Sequence, residues 1–229
     1  MMLKHNAFVN TQTRLGETPL YLACERGHLQ LAQRLLDNHP TAADINMMTR
    51  DTWSPLMIAT RHGHVDVVRL LLSKGANIVA RTGAGDTCLH LAAFYNKPEV
   101  TQLLIAAQCD VNARNKLGQT PVFAAAENSH NNVLDLLLAA GADVNVQDGK
   151  GASALHFACM NGHTRMVQVS RSVMVRLFPR KPSLSCFNVV IGFKASVSIP
   201  GADRSEGCLH LARQVRQESC TRGSAARST

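Results

Sequence analysis

Apolar residues along this chain recur in one order: a short alanine-bearing run, a glycine or polar break, then a Leu- and Val-rich run. Five segments carry it: ETPLYLACERGHLQLAQRLL, WSPLMIATRHGHVDVVRLLL, DTCLHLAAFYNKPEVTQLLI, QTPVFAAAENSHNNVLDLLL and ASALHFACMNGHTRMVQ. Their hydroxyl residues, Thr18, Ser54, Thr87, Thr120 and Ser153, stand 36, 33, 33 and 33 residues apart. Self-similarity at such a period marks a protein built from stacked repeats, each unable to bury its apolar face alone.

The units predict two helices each. The Ser or Thr stands just before the first apolar run, where its side-chain oxygen can accept from free backbone N–H groups. Pro19, Pro55 and Pro121 follow at the first helical position, where a missing N–H costs nothing. Alanines such as Ala23, Ala59, Ala92, Ala93 and Ala126 keep this helix thin, so neighbouring units can stack closely. Gly27, Gly63 and Gly162 end it by supplying a left-handed residue. Asn96 is the next best choice at that place, and Ser129 a poor one. Val65, Val68, Leu71 and Leu72 fall at helical spacing and predict the second helix. It stops at Gly75 and Gly141, ahead of extended segments such as ADVNVQDGKG.

The motifs TPLYLA, SPLMIA, TCLHLA, TPVFAA and SALHFA, with GH-like turns and GADVN-like endings, span residues 3–168. In these the chain resembles ankyrin-repeat proteins. The resemblance implies an all-α solenoid of stacked helix-turn-helix units with β-hairpin loops. It also implies a module that binds other proteins through its hairpin tips and concave face, with neither catalytic site nor cofactor. In this reading residues 1–12 end a truncated preceding repeat, and 13–46, 47–79, 80–112 and 113–145 are repeats 1 to 4. Residues 146–168 are a partial repeat 5, and 169–229 a basic, low-order tail. Some positions depart from the pattern. Repeat 1 is three residues longer, with Pro40 in its loop, and Gln108 replaces a helix-ending Gly, which weakens that junction. The segment Leu3 to Asn10 fits the end of an earlier repeat, which points to a fragment of a longer scaffold, enzyme or channel.

Residues before each Ser/Thr fall at the tips, and those before each turn Gly at the end of the first helix. These positions vary between repeats while the frame stays constant. Arg14, Arg50, Asp51, Trp53 and Lys116 at tips, and Arg61, His62, Phe94, Tyr95, Glu127 and Met160 at helix ends, are the candidate partner-binding residues. Trp53 is the only Trp and is expected in solvent. Arg50, Trp53, Arg61, Phe94 and Tyr95 are expected to form one patch, because aromatic and Arg side chains dominate interface energetics. In the competing reading Trp53 folds back over the long first loop and is structural. Through the resemblance, Asn112 with Leu104 and Asn145 with Leu137 are candidate hydroxylation sites; alternatively the two Asn only stabilise their turns.

The remaining chemistry is sparse. The histidines of the GH-like and TPLH-like positions are structural slots in this family, and His62 with His64 lacks the further ligands a zinc site needs. Cys24 and Cys159 are expected in small buried slots, and Cys88 at a helix start. No Cys has the neighbours of a nucleophile, and neither a phosphate-binding loop nor a GxSxG motif is present. Seven cysteines without a C-x-x-C pair or a secretory signal suggest reduced thiols in the cytoplasm or nucleus. Aromatic content is 4% against 45% hydrophobic, and no apolar run approaches the ~18 residues of a membrane span.

The formal charge of +8 misleads as a whole-chain figure. Residues 1–169 hold 14 Lys and Arg against 13 Asp and Glu, a net of +1, while 170–229 hold 10 against 3, a net of +7. The tail has Val169, Ser170 and Arg171 where repeat 5 needs leucines, and its composition favours disorder. Gln168-Val169-Ser170 can be encoded CAG GTG AGC, the form of an exon end followed by an intron start, so the tail is expected to be read-through. The rival is a basic tail binding nucleic acid or acidic lipid. It lacks interleaved aromatics and an amphipathic stretch, which speaks against it.

Overall fold

The computed structural model describes residues 8–37 and 42–161. The front of the leading half repeat, the middle of the long first loop with Pro40, the close of repeat 5 and the basic tail lie outside the described residues. The chain divides into two units, Met1–Ala154 and Leu155–Thr229.

Among the described residues the first unit holds four helix pairs. The first helices are α1 (Pro19–Glu25), α3 (Pro55–His62), α5 (Cys88–Phe94) and α7 (Pro121–Glu127). The second are α2 (Leu29–Leu36), α4 (Val65–Ser73), α6 (Pro98–Ala106) and α8 (Asn131–Ala139). A ninth helix, α9 (Ala154–Met160), runs across the division between the units. First helices pack in one row and second helices in another. Ala23, Ala59, Ala92, Ala93, Ala125 and Ala126 are buried where first helices meet. Leu71, Leu104, Leu134 and Leu137 fill the layer beneath them. Losing such a Leu side chain costs about 2–5 kcal/mol.

Helix starts divide by chemistry. Thr18 Oγ1 accepts the Tyr21 N–H at 3.1 Å and Ser54 Oγ accepts that of Met57 at 3.2 Å. Thr87 is part of a capping box completed by His90. Thr120, by contrast, is fully buried and its hydroxyl has no partner. An unpaired buried hydroxyl is a cost rather than a cap. Thr120→Val is therefore expected to leave stability unchanged or raised, while Thr18→Val loses about 1 kcal/mol. Urea midpoints of the two variants check this, and a Thr120→Val loss as large as that of Thr18→Val refutes it.

Helix ends follow the expected chemistry even where Gly is absent. Gly27 and Gly63 are left-handed at φ 72° and 80°, and Asn96, Ser129 and Gln108 adopt the same region at 52°, 57° and 60°. The loops differ from expectation in one respect: among the described residues the tips contain no strand, only an isolated bridge between Gln147 and Ser153. Each tip is instead a turn closed by two backbone bonds: the N–H of Thr13, Thr49, Thr82, Asn115 and Asp148 donates to the carbonyl of Glu17, Trp53, Asp86, Gln119 and Ala152, and the carbonyl of the same first residue accepts from Gly16, Thr52, Gly85, Gly118 and Gly151. The first residue of each also accepts a backbone N–H on its side-chain oxygen. Side-chain capping of this kind closes a turn without any strand on either side.

Among the described residues N–H···O bonds tie successive repeats, with one exception. Between repeats 1 and 2, Arg50 N–H donates to Leu15 O at 3.0 Å and His64 Nε2–H to Glu25 O at 2.9 Å. Asn77 N–H also donates to Asn46 Oδ1 at 2.8 Å. Between repeats 3 and 4, the matching bonds run from Lys116 to Ala84, from His130 to Ala93 and from Asp143 to Asn112. An Arg81 arm adds a bond to Arg114 O at 2.7 Å. Between repeats 4 and 5, Gly149 donates to Leu117 O and Arg114 to Gln147 O.

Between repeats 2 and 3, among the described residues, no N–H···O bond of these kinds forms. The sequence explains each loss. Met48 replaces the arm of Gln12, Arg81 and Arg114, Lys97 replaces the turn His, and Val79 replaces the loop Asn. Thr52 stands where the other tips have Gly16, Gly85, Gly118 and Gly151. It sits at φ 63°, where a β-branched residue is strained, and its hydroxyl donates to Asp51 O at 2.6 Å. That carbonyl is the counterpart of those that elsewhere accept the next tip's N–H. Packing of α3 on α5 and α4 on α6 is left to hold this joint.

Candidate interaction surface across repeats 2 and 3

The weak joint is also where the aromatic residues gather. Trp53 leaves the second tip, Arg61 stands in the last turn of α3, and Phe94 and Tyr95 close α5. Arg61 lies between the two rings, its Cζ 5.5 Å from the centroid of Trp53 and 5.2 Å from that of Tyr95. Phe94 meets Tyr95 edge to face at 5.1 Å and is 47% exposed. Arg61 and Tyr95 are 34 residues apart, about one repeat, so stacking of α3 on α5 creates the contact. The sandwich supplies about 0.5–1 kcal/mol per ring at an exposed site.

Trp53 is half-buried rather than free in solvent, because Arg61 covers one face of it. Arg50 is exposed, and its backbone N–H makes the tip link to Leu15. His62 is exposed and stacks on His64 at 5.9 Å. Burial comes first in pushing its pKa down, then Arg61 and His64, with Lys97 adding and Glu25 opposing. Arg14, Asp51, Lys116 and Glu127 are exposed, each at its own tip or helix end, so they are spread along the repeats and not gathered in one patch. Met160, in the second unit, is 59% exposed. Leu15 and Leu117, exposed at 63% and 61%, are further tip residues.

Asn112 is half-buried and its side-chain oxygen accepts the Asp143 N–H. Asn145 is exposed and its backbone donates to Asp143 Oδ1. Both therefore take part in loop hydrogen bonding. The histidines at the turn and cap positions have structural roles: His64, His90 and His130 each donate to a carbonyl of a neighbouring repeat. Cys24 and Cys88 are buried thiols whose pKa burial pushes up to about 12, and Cys109 is pushed up to about 11. Thiols so raised carry almost no thiolate at neutral pH. Cys159 is half-buried, not fully enclosed as its small-residue slot suggested.

A shallow groove of about 360 Å³ lies between turns and is lined by Gly27, Gly63, His64, Val65, Asp66 and Glu99 among others. Among the described residues no three His, Cys, Asp or Glu side chains converge, and no helix is long and apolar enough to cross a membrane.

No curated protein matches the chain. Profiles described as ankyrin repeats in three copies match residues 1–82 and 89–169, and one described as ankyrin repeats in many copies matches 62–105. Ankyrin repeats are in general non-catalytic protein-interaction modules. The repeated helix pairs, the capped starts, the left-handed helix ends and these matches agree: the chain belongs to the ankyrin-repeat family.

Proposed function

We propose that the protein is a non-catalytic scaffold or adaptor that binds another protein through the surface spanning repeats 2 and 3. The Trp53–Arg61–Tyr95 sandwich carries the reading. Side chains of the types that dominate interface energetics are held in fixed positions at the rim of the first-helix row, with Phe94 exposed beside them. Large aromatics gathered at one exposed place are informative where a lone exposed Leu is not.

Site-specific photocrosslinking tests the surface. A photoreactive residue in place of Phe94 is expected to capture a partner from cells in discrete bands that disappear with Trp53→Ala. The same residue in place of Gln102, which is exposed on α6, is expected to capture none of those bands. Equal capture at both positions, or capture unaffected by Trp53→Ala in a protein of unchanged thermal midpoint, refutes the reading.

A further inference from the structure

The guanidinium of Arg61 is a strong donor group of this surface left without an acceptor among the described residues. Its Cζ lies over the rings of both Trp53 and Tyr95, 5.5 and 5.2 Å from their centroids. Its edge, with five N–H donors in a fixed fork, has no hydrogen-bond or ion-pair acceptor among the described residues. Arg26, Arg81 and Arg114, by comparison, each reach a carboxylate or carbonyl. A guanidinium stacked between rings has already lost most of the freedom that binding would otherwise remove. Its fork of N–H donors is left without an acceptor, and such a fork matches a carboxylate bidentately.

The local field has the same sign. At His62, next in sequence, burial comes first in lowering the pKa, and the cationic groups Arg61, His64 and Lys97 add to it against Glu25. On the repeat 1 side the sign reverses. There burial, then Glu25, Glu17 and Asp51 push the Tyr21 phenol up to about 12, with Arg61 opposing. Phe94 beside Tyr95 adds an exposed apolar face to this surface.

We propose that Arg61, clamped between Trp53 and Tyr95, reads a carboxylate of the partner protein. The docked segment carries an Asp or Glu beside an apolar side chain and crosses the joint between repeats 2 and 3. This rests on the interaction surface proposed above and names what that surface takes. A segment engaging both rings would also bridge the joint that lacks the N–H···O bonds of its neighbours.

Because Trp53 is the only Trp, its emission reports directly on the site. The probe is an end-capped hexapeptide of alternating Glu and Leu, with the Gln–Leu peptide as the uncharged isostere. Saturable change in Trp53 emission is expected with the Glu peptide, weakened about tenfold or more with the Gln peptide and in Arg61→Met. Arg61→Lys, which keeps charge without the fork, is expected to fall between, and added salt to weaken the Glu peptide alone. Thermal midpoints of both variants establish that they fold. Equal responses to the two peptides, an unaffected Arg61→Met, or no response to the Glu peptide overturns the proposal. Photocrosslinking at position 94 that persists alongside a silent titration removes the carboxylate while leaving the interaction surface standing.

Discussion

The double variant Thr52→Gly, Val79→Asn is expected to be more stable than the wild type by about 2 kcal/mol. In a repeat protein, stability is roughly a sum of unit terms and nearest-neighbour interfaces, so one weak interface limits the whole array. The joint between repeats 2 and 3 is that interface, lacking every N–H···O link its neighbours make. Thr52 contributes strain of about 1–3 kcal/mol at its positive φ, offset in part by the roughly 0.5–1 kcal/mol entropy cost of Gly. Removing its hydroxyl also releases Asp51 O to accept the N–H of Gly83, beside which the Thr52 hydroxyl now lies. Val79, 72% exposed, loses little burial on becoming Asn. Its amide oxygen would then take the Asp110 N–H, as Asn46 and Asn112 take those of Asn77 and Asp143. For a domain of this size the thermal midpoint rises roughly 4–8 °C. Amide exchange gives the specific signature: protection must appear at Gly83 and Asp110. A higher midpoint without protection at either amide would refute this account of the joint.

The weakness of that joint was written in the register of the repeats, yet hydrophobic pattern alone does not expose it. Helices, caps and left-handed ends could be read directly, since each depends on a few adjacent residues. Asn96, Gln108 and Ser129 were recognisable as substitutes for Gly because the helix-ending position is fixed by the run before it. Met48, Thr52, Val79 and Lys97 look unremarkable singly, because each matters only through a partner about one repeat away. The tip acceptors Thr13, Thr49, Thr82, Asn115 and Asp148 escaped notice for a related reason. Their identities vary, and only the shared oxygen acceptor is constant. The gathering of Trp53, Arg61, Phe94 and Tyr95 could be anticipated from the repeat period. The covering of Trp53 by Arg61 could not, since it depends on the direction of the Arg side chain. Arg50 was grouped with them because it shares the second tip; its backbone N–H bonds to Leu15 on the first tip.

His90→Ala is expected to cost about 2–4 kcal/mol and to flatten the dependence of stability on pH. The ring is 3% exposed and bonds at both nitrogens. Nε2–H donates to Gln119 O at 3.0 Å, across the joint between repeats 3 and 4, and this carbonyl partner fixes the tautomer. Nδ1 is therefore the acceptor, and it takes the Thr87 N–H at 3.2 Å, closing the capping box of α5. Truncation leaves a cavity and deprives two buried backbone groups of their partners. Burial is the main cause that lowers the His90 pKa from 6.5, and Arg81 lowers it further, while the Gln119 carbonyl, Asp86 and Asp110 pull the other way. A depressed histidine pKa means that the unfolded chain binds more protons than the folded one once pH drops below the unfolded value. Its stabilising contribution is complete above about pH 6.5 and is lost as pH falls through the folded pKa. His62 shifts in the same direction, but it is exposed and its effect is screened. Urea unfolding at steps from about pH 7.5 to 5 should show wild-type stability falling on the acid side of the unfolded value. His90→Ala should start lower and lose less over the same range. Parallel curves for the two proteins would mean that His90 packs this joint without governing its acid sensitivity.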